Sequence, residues 1–266
     1  MVGVDGVRFD LLGADTTPAI WGLGRAGFLG PVVIDEATPT WSGPCWATIA
    51  TGATVAEHGI AGNDLTGHRL ADHPDFVTVA TRAGLPTLLA VSGWAPLARP
   101  EDGGPLFAET SRREFAAVAE EADLAEWDAA DETITGLAAA ILAGDAPRLS
   151  FVYLGAVDVT GHVAGAGARY RAAALAADRR VARLLAAVGS RAGSHSGSRA
   201  GSRAGENWTV VVVTDHGHLD RGGHGGREPE VVTAWAAAAG PGIAAGGVPP
   251  ITRQAQVASF VLAALG

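Results

Sequence analysis

Apolar and polar positions fall in alternating blocks along this chain, and the clearest block is residues 208–226, WTVVVVTDHGHLDRGGHGG. Its four consecutive valines form the run expected of a strand buried on both faces. The run stops at Thr214, which places Asp215 and His216 at the strand's carboxyl end and His224 a short Gly-rich loop later. Other apolar runs predict strands at residues 1–4, 31–34, 87–92, 149–154 and 231–238. Helices are predicted at residues 17–26, with Thr17 as N-cap and Pro18 at the first helical position, and at 46–51, 76–83, 112–121, 131–143, 169–188 and 252–265. Strands alternating with helices over the whole length imply a mostly parallel central sheet covered on both faces, a three-layer α/β/α architecture.

One stretch breaks the pattern. Residues 189–205, GSRAGSHSGSRAGSRAG, hold no apolar side chain larger than Ala and cannot bury enough to order themselves, so a flexible low-complexity insertion is expected there. The remaining chain, within a length of 266 residues, suits a single domain over 1–266 better than two.

A net charge of -9 argues against a nucleic-acid polymer as partner, since gripping a phosphate backbone needs a basic face. A small phosphorylated substrate stays compatible, because bound metal ions supply positive field locally. Cys45 is the only cysteine, which excludes an intrachain disulfide. The opening MVGVDGV lacks a basic signal region, and the late run VVTAWAAAAGPGIAAGG is broken by Gly and Pro. A cytoplasmic protein without a membrane segment is expected, although so abrupt a first strand leaves an upstream start open.

Three further segments bring chemistry to the same place as Asp215, His216 and His224. Asp5 ends the first strand. Asp158 and His162, four residues apart after the strand at 149–154, fall on one side of a helical turn. Ser42 stands at a helix start with Pro44 in the first turn, where unpaired N–H groups favour an oxyanion. Singly, Asp5 reads as a turn residue, Ser42 as an N-cap and Asp158 as a loop anchor. All of them lie at strand ends or helix starts on one edge of one sheet, and that convergence points to a metal site with carboxylate and imidazole ligands.

The motifs GVDGVRFD, PTWSGPCWATIATGATVAEHGIAGND, DVTGH, TDHGH and GGHGG, in this order, resemble the metal-dependent alkaline phosphatase superfamily, and most closely its type I phosphodiesterase/nucleotide pyrophosphatase branch. The resemblance implies two divalent metal ions, usually Zn, with Mn or Fe as alternatives. Asp158, His162 and His224 would hold one ion. Asp5, Asp215 and His216 would hold the other, with Ser42 as the nucleophile. Where many relatives carry a T-F-P-N run, this chain has Ser42, Gly43, Pro44 and Cys45. A thiol is a poor donor to a phosphoryl oxygen, so of the two substrate-binding candidates, Gly43 and Cys45, the Gly43 backbone N–H carries more weight. His58 is expected to pack the loop after the nucleophile helix, and His218 to be a loop residue or to orient a metal ligand. Trp41, Trp46 and Trp94 are candidates for lining the pocket or for ordinary packing.

The resemblance implies a metal-dependent phosphoric ester hydrolase, a phosphodiesterase or nucleotide pyrophosphatase working through a phosphoserine, with a nucleotide among the candidate substrates. The alternatives are a phosphomonoesterase, a phosphoglycerate mutase-like isomerase and a non-catalytic metal-binding module. The isomerase normally needs a large inserted domain, for which residues 51–149 leave little room. A sulfatase is disfavoured by Trp46, which stands where the sulfatase maturation motif has Arg. Substrate identity and oligomeric state stay open at this level.

Overall fold

The computed structural model describes residues 1–99, 105–119, 121–144, 147–192 and 206–266. In chain order the elements are β1 (Val2–Val4), α1 (Pro18–Ala26), β2 (Phe28–Val33), α2 (Ser42–Thr51), α3 (Val55–His58), α4 (Phe76–Arg82), β3 (Thr87–Gly93) and β4 (Arg112–Ala117). Then follow α5 (Leu124–Gly144), β5 (Leu149–Leu154), α6 (Ala156–Ala164), α7 (Ala168–Ala192), β6 (Val210–Val213), α8 (Pro229–Val232), β7 (Thr233–Ala239) and α9 (Gln256–Ala263).

The strands form one sheet in the order β2-β7-β6-β1-β5-β3-β4. β7 alone runs against its neighbours, pairing antiparallel with both β2 and β6. The short β1 sits at the centre, with Val2 opposite Val152 of β5 and Val212 of β6. The expected α/β/α layering is therefore present. Alternate strand residues feed two cores: Phe151, Tyr153, Val211 and Val213 meet α2, α4 and α9 on one face, whereas Val152, Leu154 and Val212 meet α1, α5 and α7 on the other. Trp46, Phe76, Phe107 and Phe151 form an aromatic centre in the first core, with ring centroids 4.7–5.9 Å apart. Each such buried side chain contributes about 1.5–3 kcal/mol.

Several sequence expectations shift. Residues 112–117 form β4, an edge strand parallel to β3, where a helix was expected. An edge strand is half-exposed and tolerates charge, so Arg112, Arg113 and Glu114 hid it, while Phe115 still packs on the core. Thr17 occupies the N-cap position of α1, but its hydroxyl lies within 3.1 Å of Gly13 N, not on the helix. The first-turn N–H groups of Ala19 and Ile20 donate instead to Asp178 of α7, at 3.0 and 2.9 Å. The helix expected at 46–51 opens at Ser42, four residues before its apolar run. Residues 231–232 end a short helix, so β7 starts only at Thr233, and the last helix is confined to Gln256–Ala263. Of the expected flexible insertion, residues 189–192 continue α7 and 193–205 lie outside the described residues. Among the described residues no helix is long and apolar enough to cross a membrane.

Candidate active site

Because β1, β5 and β6 are parallel neighbours, their carboxyl ends meet at one edge. The N–H of Asp5 continues the β1–β5 ladder to Leu154 O at 3.0 Å. Past that point the chain turns, and Gly6 N donates to Asp215 Oδ1 at 3.1 Å while Val7 N donates to Thr214 Oγ1 at 3.0 Å, stitching the exits of β1 and β6 together. α6 starts directly after β5, and its helical spacing places His162 Nε2 3.6 Å from Asp158 Oδ2. The Gly-rich loop returns His224 to the same point, with Nε2 2.9 Å from His162 Nε2 and 3.6 Å from Asp158 Oδ1. His224 Nδ1 donates to Thr40 O at 2.6 Å, which leaves the Nε2 lone pair facing the cluster.

His216 is fully buried beside Ser42. Its Nδ1 lies 3.2 Å from Gly217 O, and its Nε2 lies 3.4 Å from Ser42 Oγ, 3.2 Å from Asp215 Oδ2 and 3.7 Å from Asp5 Oδ1. Its ring stacks on that of His224 at 3.8 Å. All seven residues expected to act, Ser42 and the six ligand candidates, are thus brought to one sheet edge. Ligand atoms of Asp158, His162, His218 and His224 lie within 4.8 Å of one another, as do those of Asp5, Asp158 and His216.

Electrostatics make this cluster costly without a cation. Burial, with the Asp158 charge second, pushes Asp5 up to about 7. Burial likewise pushes Asp158 up to about 6 and Asp215 well above the usual carboxylate range. The imidazoles go the other way: burial lowers His224 to about 4 and His216 well below its ordinary value. Asp5 Oδ1 and Asp215 Oδ2 are buried oxygens with no hydrogen-bond partner. Neutral imidazoles beside orphaned carboxylate oxygens fit a metal ion.

Four residues of this site were missed or underweighted in the sequence. His218 is the loop residue expected, but fully buried, with Nε2 2.8 Å from Asp158 Oδ1. Gly161 makes room for it, since a Cβ there would lie 2.7 Å from the imidazole. Tyr153 and Trp46 both donate to Asp5 Oδ2, at 2.5 and 2.9 Å, leaving only Oδ1 for anything else. Asn63 accepts the Gly43 N–H at 2.8 Å. Nothing in an isolated His, Tyr, Trp or Asn announces such contacts.

The substrate-binding expectations need correction. Cys45 is fully buried, with Sγ 3.5 Å from Pro39 O, so its thiol belongs to the core and not to the cleft. The Gly43 N–H, expected to face substrate, is already received by Asn63, and a Cβ on Gly43 would come 2.2 Å from Gly62 O. His58 has the structural place anticipated for it: Nδ1 accepts from Ile60 N at 3.0 Å and Nε2 lies 3.1 Å from Thr48 Oγ1. Of the tryptophans, Trp46 is core, Trp94 is partly buried against the core, and Trp41 is exposed at the rim beside His224, with ring centroids 5.8 Å apart.

Solved structures with this fold include a 2-O GAG sulfatase, which matches with a TM-score of 0.66 at 13% identity over 100% of this chain and 69% of that one. Murine ectonucleotide pyrophosphatase/phosphodiesterase 5 matches with a TM-score of 0.54 at 19% identity, over 81% of this chain and 56% of its own. Phosphonoacetate hydrolase from Sinorhizobium meliloti 1021 matches with a TM-score of 0.50 at 17% identity, over 81% and 55%. Identities this low establish a shared fold and nothing finer. A search of curated proteins gives no match. The type I phosphodiesterase / nucleotide pyrophosphatase family, in contrast, matches residues 1–224, a span that contains every ligand candidate and Ser42, and the chain belongs to that family.

Proposed function

We propose that this chain is a metal-dependent phosphoric ester hydrolase that cleaves small phosphodiesters, nucleotides among them, through a phosphoserine on Ser42. The observation that supports this reading most is the convergence of Ser42 with two groups of imidazoles and carboxylates at one sheet edge. In this reading Asp158, His162 and His224 hold one divalent cation, and Asp5, Asp215 and His216 hold the other. When bound, such ions withdraw charge from phosphoryl oxygens and favour the ionised form of a neighbouring hydroxyl.

The chain's own groups account for the rest. Ser42 is the first residue of α2, where the helix dipole favours a phosphoryl anion. Asn63, its carbonyl oxygen engaged by Gly43, has its NH2 group left to offer a phosphoryl oxygen, the donor that Cys45 cannot supply. The Ser42 Oγ–P bond forms as the P–O bond to the leaving alcohol breaks, and the serine proton departs with that alcohol. Water then attacks phosphorus, the Oγ–P bond breaks, and a phosphomonoester and the free serine hydroxyl result.

Arg8 and Arg227, which flank Asp5 and His224 in sequence, are not available to a second phosphate charge. Arg8 binds Asp10 and Asp220, and Arg227 binds the carbonyls of Ile34, Asp35 and Thr38. That favours diester over monoester. The sulfatase fold likeness does not extend to the Arg of the maturation run, since Trp46 fills that place and is buried against Asp5.

Initial rates on bis-p-nitrophenyl phosphate, p-nitrophenyl phosphate and p-nitrophenyl sulfate, with and without chelator, test the reading. The diester is expected to turn over fastest, to need metal, and to lose at least about 1,000-fold in Ser42→Ala. Undiminished turnover in Ser42→Ala would sink the covalent route, and preference for the monoester or the sulfate would move the assignment accordingly.

A further inference from the structure

The helix that carries Asp158 and His162 is held at its amino end by a residue outside the cluster. Asp131, in the middle of α5, is fully buried, and it accepts the N–H of Gly155 on Oδ1 at 3.0 Å and that of Ala156 on Oδ2 at 3.2 Å. These are the first two N–H groups of α6. Ser92, near the end of β3, donates its hydroxyl to the same carboxylate. Arg180 of α7, itself buried, sets Nη1 3.9 Å from Asp131 Oδ2 and is held there by Asp128 at 2.8 Å and Glu132 at 3.4 Å. A buried carboxylate with two backbone donors, a hydroxyl and a guanidinium is fully partnered and rigid.

A second contact one helical turn away grips the same junction. A Cβ on Gly93, the last residue of β3, would come 2.0 Å from the Trp127 ring, and one on Gly155 would come 3.0 Å from it. Trp127 of α5 therefore fits against two strand exits that only small residues leave open. Trp127 and Asp131 lie four apart on one face of α5. Between them they fix where β5 ends and in which direction α6 departs.

We infer that Asp131 is a positioning residue for the metal-binding face of α6: from α5 it sets the orientation in which Asp158 and His162 meet His224. The inference rests on reading that cluster as a metal site. α6 is a single short helix, so a tilt at its first N–H groups displaces Asp158 within its first turn and His162 one turn later.

An ordinary stabilising cap would use the same bonds, and the chain contains a comparison for it. Asp178 of α7 caps α1 from a distance in the same manner, through Ala19 and Ile20, yet α1 carries none of the site groups. Asp131→Asn and Asp178→Asn thus each weaken a remote cap, and only one of them touches the ligand helix.

The experiment measures zinc stoichiometry and affinity of the full chain by competition with a chromophoric chelator, for wild type and both variants, at a temperature where circular dichroism shows all three folded. Both variants are expected to melt below wild type. Asp131→Asn is expected to lose about tenfold or more in affinity for one of two ions, and Asp178→Asn to stay within about twofold of wild type. Equal affinities in the two variants would overturn the positioning role. Wild-type protein that binds no zinc would overturn the metal reading of the cluster and this inference with it, a result distinct from the first. Should Asp131→Asn fail to fold, Ser92→Ala removes the hydroxyl that donates to Asp131 and shares the Gly155 N–H at 3.3 Å, and keeps both backbone bonds to Asp131. A loss of about threefold confined to one ion supports the role, and no change overturns it.

Discussion

The indole N–H of Trp46 donates to Asp5 Oδ2 at 2.9 Å, tying the helix that Ser42 opens to the strand that Asp5 ends. Trp46→Phe keeps an aromatic ring in the core and deletes that donor, leaving Tyr153 alone on the oxygen. Urea unfolding is expected to show a loss of about 1–3 kcal/mol, and chelator competition a weaker hold on one metal ion. Unchanged values in both would mean that Tyr153 suffices to fix the carboxylate.

Asn63 is exposed, so its replacement should spare the fold and act on chemistry. Asn63→Ala is expected to lower kcat on the diester by about 100-fold with a smaller effect on KM, because a donor that meets the charge developing on the phosphoryl oxygen acts mainly in the transition state. A loss confined to KM would place Asn63 in ground-state binding instead.

Gly161 tests the contact between His218 and Asp158. An added methyl would meet the imidazole at 2.7–2.8 Å, and both groups are hemmed in, so His218 has to leave its 2.8 Å bond to Asp158. Gly161→Ala is expected to cost about 1–3 kcal/mol of stability and about tenfold in metal affinity. Retained affinity at wild-type level would remove His218 from any orienting role.

The shifted carboxylates and imidazoles give metal binding a pH dependence of definite sign. In the folded, metal-free chain Asp5 titrates at about 7 and Asp158 at about 6, each raised from 3.8, so protons compete with a cation below neutrality. His218 and His224, lowered from 6.5 to about 4, are already neutral there and compete little. Affinity should therefore rise from pH 6 to pH 8, with proton release near pH 6 that fades by pH 8. For the metal-free chain the raised carboxylates remove stability as pH rises from about 4 through about 7, whereas the lowered imidazoles remove it as pH falls from about 6.5 to about 4. The two sets oppose each other, and the thermal shift produced by metal should widen toward pH 8. Calorimetric titration in buffers of different ionisation enthalpy reads the proton count; its absence at pH 6 would refute the raised carboxylates.

What the sequence disclosed and what it hid follow from locality. Asp158 and His162 were legible because their spacing matches one helical turn, and Asp215 and His216 because a valine run ends at them. β4 was not, since a half-exposed edge strand carries no apolar alternation strong enough to outweigh its charges. The partners of Asp5, Tyr153 and Trp46, are 148 and 41 residues away, and no local pattern links them to it. Cys45 was misplaced for a related reason: proximity in sequence to Ser42 said nothing about whether the thiol would face the cleft or Pro39.

The position of β1 has a consequence for how the chain comes into being. Val2 to Val4 belong to the middle of the sheet, between strands that begin at Leu149 and Val210 and are therefore made much later. During synthesis this strand emerges with neither neighbour available, and long-range parallel pairing of this kind forms slowly. A nascent chain arrested before residue 210 holds Asp5, Ser42, Asp158 and His162 but lacks the strand that would bring Asp215 and His216 beside them. Until both neighbours are made, the apolar Val2 and Val4 thus have no sheet centre to enter, and the residues gathered at the sheet edge cannot meet.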